Sequence, residues 1–155
     1  MALHAQRGSL VLTASLTTGV ACVVRGFRES VTLIDKVLTL DHTEWETILL
    51  VGDGEFRRTP TGPFPDHQMR VSVKPSAGYA ALNYMDNNDR QMAIANSYNP
   101  ARPPPPISLI FNGRTGATFP PAAAISIAQA REALQQWLRT RERPTCIQWQ
   151  RYDNC

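Results

Sequence analysis

The chain has 155 residues, and its 16 basic residues against 13 acidic ones leave a formal net charge of +3. That length is one domain's worth of chain, and a hydrophobic content of 43% excludes a wholly disordered one. Coiled coils, membrane proteins and low-complexity tails are excluded too: charged residues are only 19%, and no apolar run approaches the ~20 residues of a membrane span. Fourteen of the basic residues are arginines, but +3 spread along the chain is too weak to indicate nucleic-acid binding by itself.

At the N-terminus, Arg7 precedes a moderately apolar stretch from Leu10 to Ala21 that ends at Cys22. This has the outline of a signal peptide, even of a lipoprotein signal. Thr13, Ser15, Thr17, Thr18 and Gly19 dilute it, and Gly19 stands where a lipoprotein signal wants a leucine-like residue. A cytoplasmic protein is the expected reading, with export through this segment as the minority one. Residues 1–30 are expected to be an N-terminal extension, a strand or poorly ordered, preceding a single domain over 31–155.

The cysteines, Cys22, Cys146 and Cys155, form no CxxC pair, and His4, His42 and His67 add no ligand spacing. No metal and no cofactor are expected. An odd, low cysteine count suits free thiols in a reducing compartment, while spacing alone also permits a Cys146–Cys155 disulfide.

Residues 31–40 are dense in β-branched and apolar side chains, which predicts a strand. Asp41 with Glu44 three residues on has capping-box spacing, Leu40 and Trp45 could staple it, and Gly52 could end it, so 42–51 predicts a short helix. Turn chemistry follows over 53–66, with Gly54, Pro60, Gly62, Pro63 and Pro65.

Met69, Val71 and Val73 then alternate with Arg70, Ser72 and Lys74, the pattern of a half-buried strand. Pro75 to Gly78 reads as a turn, and Tyr79 to Tyr84 as the next strand. Asp86-Asn87-Asn88-Asp89 is a polar turn, and Met92 and Ile94 mark a third strand. Pro100 and Pro103 to Pro106 make a stiff connection. Ile107 to Phe111, a turn at Asn112-Gly113, and Ala117 to Phe119 continue an antiparallel meander.

The strongest helix signal comes next. Ser126 is placed as N-cap with Gln129 three residues on, and Ile127, Ala130, Leu134, Trp137 and Leu138 share one face. Arg139, Arg141 and Arg143 crowd its C-terminal end, where the helix dipole favours positive charge, and Pro144 forces a stop. Residues 146–150 read as a final strand with Ile147 and Trp149 facing the core. The expected fold class is α+β: one domain with a mainly antiparallel β-sheet meander, a short N-terminal helix, and a longer amphipathic C-terminal helix followed by a final strand.

No GxSxG, HExxH, Walker loop or GxGxxG occurs. His42 near Asp41 and Glu44, and Asp86 with Asp89, could move protons, but a helix start and a turn explain them more simply. The chain is therefore read as a non-enzyme without a small-molecule substrate. Arg131, Arg139, Arg141, Arg143 and Arg151 with Trp137, Trp149 and Tyr152 support the alternative of a small arginine-rich nucleic-acid-binding protein. Against it, both tryptophans fall on apolar faces and three arginines already suit a helix end.

The C-terminal run resembles a known family. Phe119-Pro120-Pro121, an alanine-rich step to Ser126, an amphipathic helix with Trp137, and Arg143-Pro144-Thr145-Cys146-Ile147-Gln148-Trp149 resemble the first immunity-protein family of bacterial polymorphic toxin systems. Gly78-Tyr79-Ala80-Ala81-Leu82-Asn83-Tyr84 looks like that family's small-residue and aromatic strand. The resemblance covers roughly residues 31–150. One departure is Arg141, where related sequences often carry glycine.

The resemblance implies an α+β inhibitor, used in interbacterial competition, that binds a cognate toxin non-covalently and covers its active site. Cognate toxins of the family include nucleic-acid deaminases. Such toxins tend to be basic, so an acidic patch is expected despite the overall +3. The candidate toxin contacts are the turn Asp86, Asn87, Asn88 and Asp89 with Tyr84 and Tyr98, and a second turn at Asp53 and Glu55.

Overall fold

A computed structural model describes residues 10–54, 67–100 and 106–152. Its first strands are β1 (Val11–Ser15) and β2 (Ala21–Arg25), followed by helix α1 (Phe27–Val37). Four further strands are β3 (Thr47–Gly52), β4 (His67–Lys74), β5 (Tyr79–Asp86) and β6 (Ile94–Tyr98). A short hairpin of β7 (Ile110–Asn112) and β8 (Ala117–Thr118) precedes a 3-10 turn at Pro121–Ala123. Strand β9 (Ile125–Ser126), helix α2 (Ile127–Thr140) and strand β10 (Gln148–Arg151) complete the chain. This is the expected α+β class, with two helices and a final strand on an antiparallel sheet.

The main sheet runs β10-β6-β5-β4-β3-β1-β2, and β9 pairs with the first residues of β5. Every pairing in it is antiparallel. Strand β5 pairs with three other strands. One side pairs with β4 along its whole length, and the other is shared between β9 at Tyr79–Ala80 and β6 at Asn83–Met85. In the gap between them Leu82 N–H donates to Ser97 Oγ at 2.9 Å, and that hydroxyl donates to Ala123 O at 2.6 Å. A side chain thus completes the ladder where no strand does.

Two segments differ from the sequence expectation. Residues 31–40 are not a strand: α1 runs from Phe27 to Val37. Its buried residues Ser30, Leu33, Ile34 and Val37 recur at i, i+3, i+4 and i+7, a helical period that the β-branched density masked. Residues 42–51 are not a helix: Thr47–Gly52 is β3, flanked by β1 and β4. Ile48, Leu49, Leu50 and Val51 are all apolar, so the residue types carry no period-two signal, although burial alternates over Thr47–Leu50. Trp45 staples nothing; it is half-exposed and lies against Gly113, where a Cβ would collide with its ring and with the Glu44 carbonyl. Residue 30, the expected boundary of the extension, falls inside α1, and β1 and β2 are paired strands of the main sheet.

One face of the sheet carries both helices. Leu12, Ala14, Leu49, Met69, Val71, Val73, Ala80, Leu82 and Tyr84 meet Leu33, Ile34 and Val37 of α1 and Ala130, Leu134, Trp137 and Leu138 of α2. The other face bears a smaller core of Ala81, Leu109, Phe119, Ala123 and Ala124. Here the segments expected to prolong the meander form the separate β7–β8 hairpin instead. Arg70 anchors it, donating to Phe111 O at 3.2 Å with its guanidinium 4.6 Å from the Phe111 ring centroid. Helix α2 has the expected capping box: Gln129 N–H donates to Ser126 Oγ and Ser126 N–H to Gln129 Oε1, both at 3.0 Å.

Candidate functional site

Antiparallel register gathers the expected acidic turns at one end of the sheet. His67 stands opposite Asp86 in the β4–β5 pair, and Leu49 opposite Met69 in the β3–β4 pair. The end of β3, the start of β4 and the end of β5 therefore meet at the same rim. Asp53 follows β3 there, and Asn87, Asn88 and Asp89 follow β5. The loop after α2 closes over the rim, with Arg141 Nη1 2.7 Å from Asp53 Oδ1 and Arg143 Nη1 2.7 Å from Asp89 Oδ2.

Each carboxylate is already engaged. Asp86 Oδ1 accepts Asn88 N–H at 2.9 Å, and Asp86 Oδ2 accepts the Tyr84 hydroxyl at 3.2 Å. Asp89 Oδ1 accepts Met92 N–H at 2.9 Å and Gln91 N–H at 3.0 Å. The Met92 N–H first, then Gln91 N–H and Arg143, hold the Asp89 carboxyl below its ordinary range, so it is charged at neutral pH. Arg143 also donates to Met92 O at 3.3 Å, and Arg151 donates to Gln91 O. Asn87 and Asn88 form the exposed tip of a turn braced from three sides.

Beneath this rim lies an aromatic cluster. Tyr84 has no exposed surface. Its ring centroid is 6.1 Å from His67, 6.4 Å from Trp137 and 6.2 Å from Trp149. Burial first, and the neighbouring Asp86 charge second, push the Tyr84 hydroxyl well above its ordinary pKa, so it remains a donor to Asp86. Trp137 Nε1–H donates to His67 Nδ1 at 3.2 Å. An indole only donates, so His67 Nδ1 accepts and the neutral ring carries its proton on Nε2. Trp149 Nε1–H donates to Pro144 O at 2.7 Å, which ties the Arg143-Pro144 step to the last strand.

The structure therefore brings together Asp53, Asp86, Asn87, Asn88 and Asp89. Tyr84 supports them from below instead of offering a surface. Tyr98 does not join them: it ends β6 opposite Gln148, four residues along the strand from Ile94 beside the turn. Glu55 lies outside the described residues, as do Pro60, Gly62, Pro63, Pro65 and Cys155. Of the motif residues, Gly78 has φ +80 in the turn between β4 and β5 at the opposite end of that hairpin. Pro120 precedes the 3-10 turn. Sequence reasoning missed Arg141, Arg143 and His67 as parts of the rim. Their only sequence signal is two arginines two residues apart at a helix end, which the helix dipole explains equally well.

The remaining candidates have structural partners. His42 is buried between Leu40 O, 2.8 Å from Nδ1, and the Thr47 hydroxyl, 2.7 Å from Nε2. Arg131 pairs with Asp35 at 2.9 Å, and the Arg139 guanidinium sits 5.1 Å from the Phe27 ring centroid. Trp137 is fully buried and Trp149 partly buried against the core, so neither presents an open ring face for stacking. Among the described residues no helix is long and apolar enough to cross a membrane.

The family model described as immunity protein Imm1 matches residues 19–151. No curated protein matches the chain.

Proposed function

Because that match spans most of the sequence, the chain belongs to the Imm1 immunity-protein family, and from this premise we propose that it neutralises a nucleic-acid-targeting bacterial toxin, deaminase-like or nuclease-like. An immunity protein for a bacterial toxin has a toxin as its partner. The finer reading is that this chain acts in the cytoplasm of the toxin's producer or its siblings, as a non-enzymatic inhibitor in a polymorphic toxin system. Binding is non-covalent and covers the toxin's active site or substrate channel.

The single observation that carries this reading is the rim. Asp53 and the Asp86–Asp89 turn, distant in sequence, converge on one end of the sheet and are fixed there by Arg141, Arg143 and Tyr84. Preformed hydrogen bonding removes much of the ordering cost of association. The rim is mixed in charge, because its arginines offset its carboxylates. Charge complementarity to a basic cleft then rests on Asp86, which has no arginine partner among the described contacts, and on the Asn87-Asn88 tip. A toxin interface of roughly 1,600 Å² would extend past this tip.

The test is co-expression with the toxin domain from the adjacent locus, scored for survival. Wild-type protein should rescue growth and form a stoichiometric complex. Asn87→Arg with Asn88→Arg, which leaves every described hydrogen bond of the Asp86 and Asp89 carboxylates in place, should weaken the complex at least tenfold. Cell death despite good expression of the wild-type chain would overturn the toxin assignment. Unchanged affinity of the double variant would remove the rim and leave the family reading intact.

A further inference from the structure

The sheet face beneath the β7–β8 hairpin carries charge as well as its small apolar core. Arg70 and Ser72 lie two residues apart on β4, and alternation puts both side chains on this face. Ser72 stands opposite Ala81, a member of that core. Strand β3 pairs with β4 as far as Thr47 opposite Val71. One step further along the same register, Glu46 comes beside Ser72 on this face. Its carboxylate confirms the direction, because Oε2 accepts the Gly113 N–H of the hairpin at 3.0 Å.

The protein's own groups do not complete the hydrogen bonding here. Arg70 Nη1 donates to Phe111 O, but Arg70 Nε is buried without a partner. Ser72 Oγ is buried without one too, in a residue with no exposed surface. These are the two side-chain atoms in that condition among the described residues, and they share one strand and one face. Glu46 is only 8% exposed, and among the described hydrogen bonds just one of its carboxylate oxygens is engaged. Arg70 and Glu46 form no ion pair with each other among the described contacts. An unpaired buried donor or acceptor costs its full desolvation penalty, so native interiors nearly always supply it a partner.

We infer that one buried water molecule sits beneath the hairpin and joins Glu46, Arg70 and Ser72. It accepts Arg70 Nε–H, donates to the Glu46 carboxylate, and exchanges a third hydrogen bond with Ser72 Oγ. Three bonds are about the usual number for an internal water. The spacing suits it. Cross-strand neighbours such as Glu46 and Ser72 have Cβ atoms about 5 Å apart, and Arg70 and Ser72 are separated by about 7 Å along the strand. A water spans about 5.6 Å between two partners, and the longer side chains of Arg70 and Glu46 supply the remaining reach. Both members of the Ser72–Ala81 pair are small, so neither side chain competes for the position.

The mixture of charges selects the occupant. Glu46 repels an anion, Arg70 repels a cation, and an apolar molecule would leave all three groups unpaired. Water both donates and accepts. It turns two charges that do not touch into a bridged pair, which holds the hairpin at Phe111 through Arg70 and at Gly113 through Glu46.

The test uses the full-length chain, isotopically labelled for NMR. The Arg70 Nε–H should show a dipolar cross-peak to water, opposite in sign to chemical exchange in a rotating-frame experiment. A crystal structure that resolves ordered solvent should place a water within about 3.2 Å of Arg70 Nε, Ser72 Oγ and a Glu46 oxygen. Ser72→Ala supplies a second arm. With water in the site the variant loses one of three bonds, and its unfolding equilibrium constant should rise about fivefold in urea titrations. In a dry site, removing an unpaired buried hydroxyl should leave that constant unchanged or lower it. An Arg70 Nε–H without a water cross-peak, a direct Arg70–Glu46 pair in the crystal, or a Ser72→Ala variant as stable as the wild type or more so each overturns the inference. None of these measurements involves a toxin, so the outcome is independent of the immunity reading.

Discussion

Arg143 Nη1 stands 2.7 Å from Asp89 Oδ2, joining the loop after the last helix to the turn between β5 and β6 across 54 positions of sequence. The same guanidinium bonds Met92 O, while the next residue, Pro144, receives the Trp149 indole N–H. The Arg-Pro step therefore works as a two-sided clip. Its arginine fixes the candidate toxin-binding turn, and its proline carbonyl fixes the last strand.

Replacing Arg143 with Met keeps the apolar stem and removes the clip. The amides of Gln91 and Met92 should then exchange with solvent measurably faster, while amides in the middle of β4 and β5 stay protected. Equal protection throughout would show that the turn holds without Arg143.

Arg141 takes φ 56, the left-handed conformation, directly after α2. This explains why glycine suits the position: a side chain there costs about 1 kcal/mol that glycine avoids. Among its described contacts the Arg141 side chain pairs with Asp53, an exposed pair with 80% of the aspartate side chain accessible, and such pairs contribute little. Arg141→Gly should therefore raise stability by about 0.5 kcal/mol in denaturant titrations. A clear fall would show that the arginine side chain outweighs the backbone strain.

Ser97 completes the ladder of β5 where β6 and β9 leave a gap. Ser97→Ala would leave the Leu82 N–H and the Ala123 carbonyl without this partner in a site only 1% exposed. The expected loss is about 1–3 kcal/mol, read from the urea midpoint at unchanged m-value. A loss near zero would mean that the neighbouring strands close the gap unaided.

His42 predicts a pH dependence. Burial lowers its pKa below the ordinary 6.5, with the Leu40 carbonyl, Asp41 and Glu46 opposing that shift only in part. The folded state then binds fewer protons than the unfolded state. Stability is fully present above about pH 6.5 and is lost as the pH falls through the lower folded value. His42→Gln, which does not titrate, should flatten this part of the stability profile. An unchanged profile in the variant would assign the acid sensitivity to other groups.

The chain order of most elements is readable in the sequence. Alternation of Met69, Val71 and Val73 identifies β4, and Ser126 with Gln129 identifies the start of α2, because each element's own period or cap is written locally. The segment before residue 52 departs from its expectation because local chemistry there is ambiguous. Val31, Leu33, Ile34 and Val37 satisfy both a strand composition and a helical period, and β3 is apolar at four consecutive positions, Ile48 to Val51, so its residue types do not alternate. At the rim, the sequence supplied Asp53 and Asp86–Asp89 as acidic turns, but nothing local places them side by side.

The sequence by itself determined the α+β class, the capped C-terminal helix and the family resemblance carried by Arg143, Pro144 and Trp149. Only the tertiary structure decided that Asp53 and Asp89 share one end of the sheet, that Arg141 and Arg143 hold them, that Tyr84 lies beneath, and that β2 is an edge. The physical reason is range. Propensity, capping and periodicity act within a few residues, whereas strand order, register and ion pairing join residues far apart in the chain, and only packing of the whole core selects among the pairings that local signals allow.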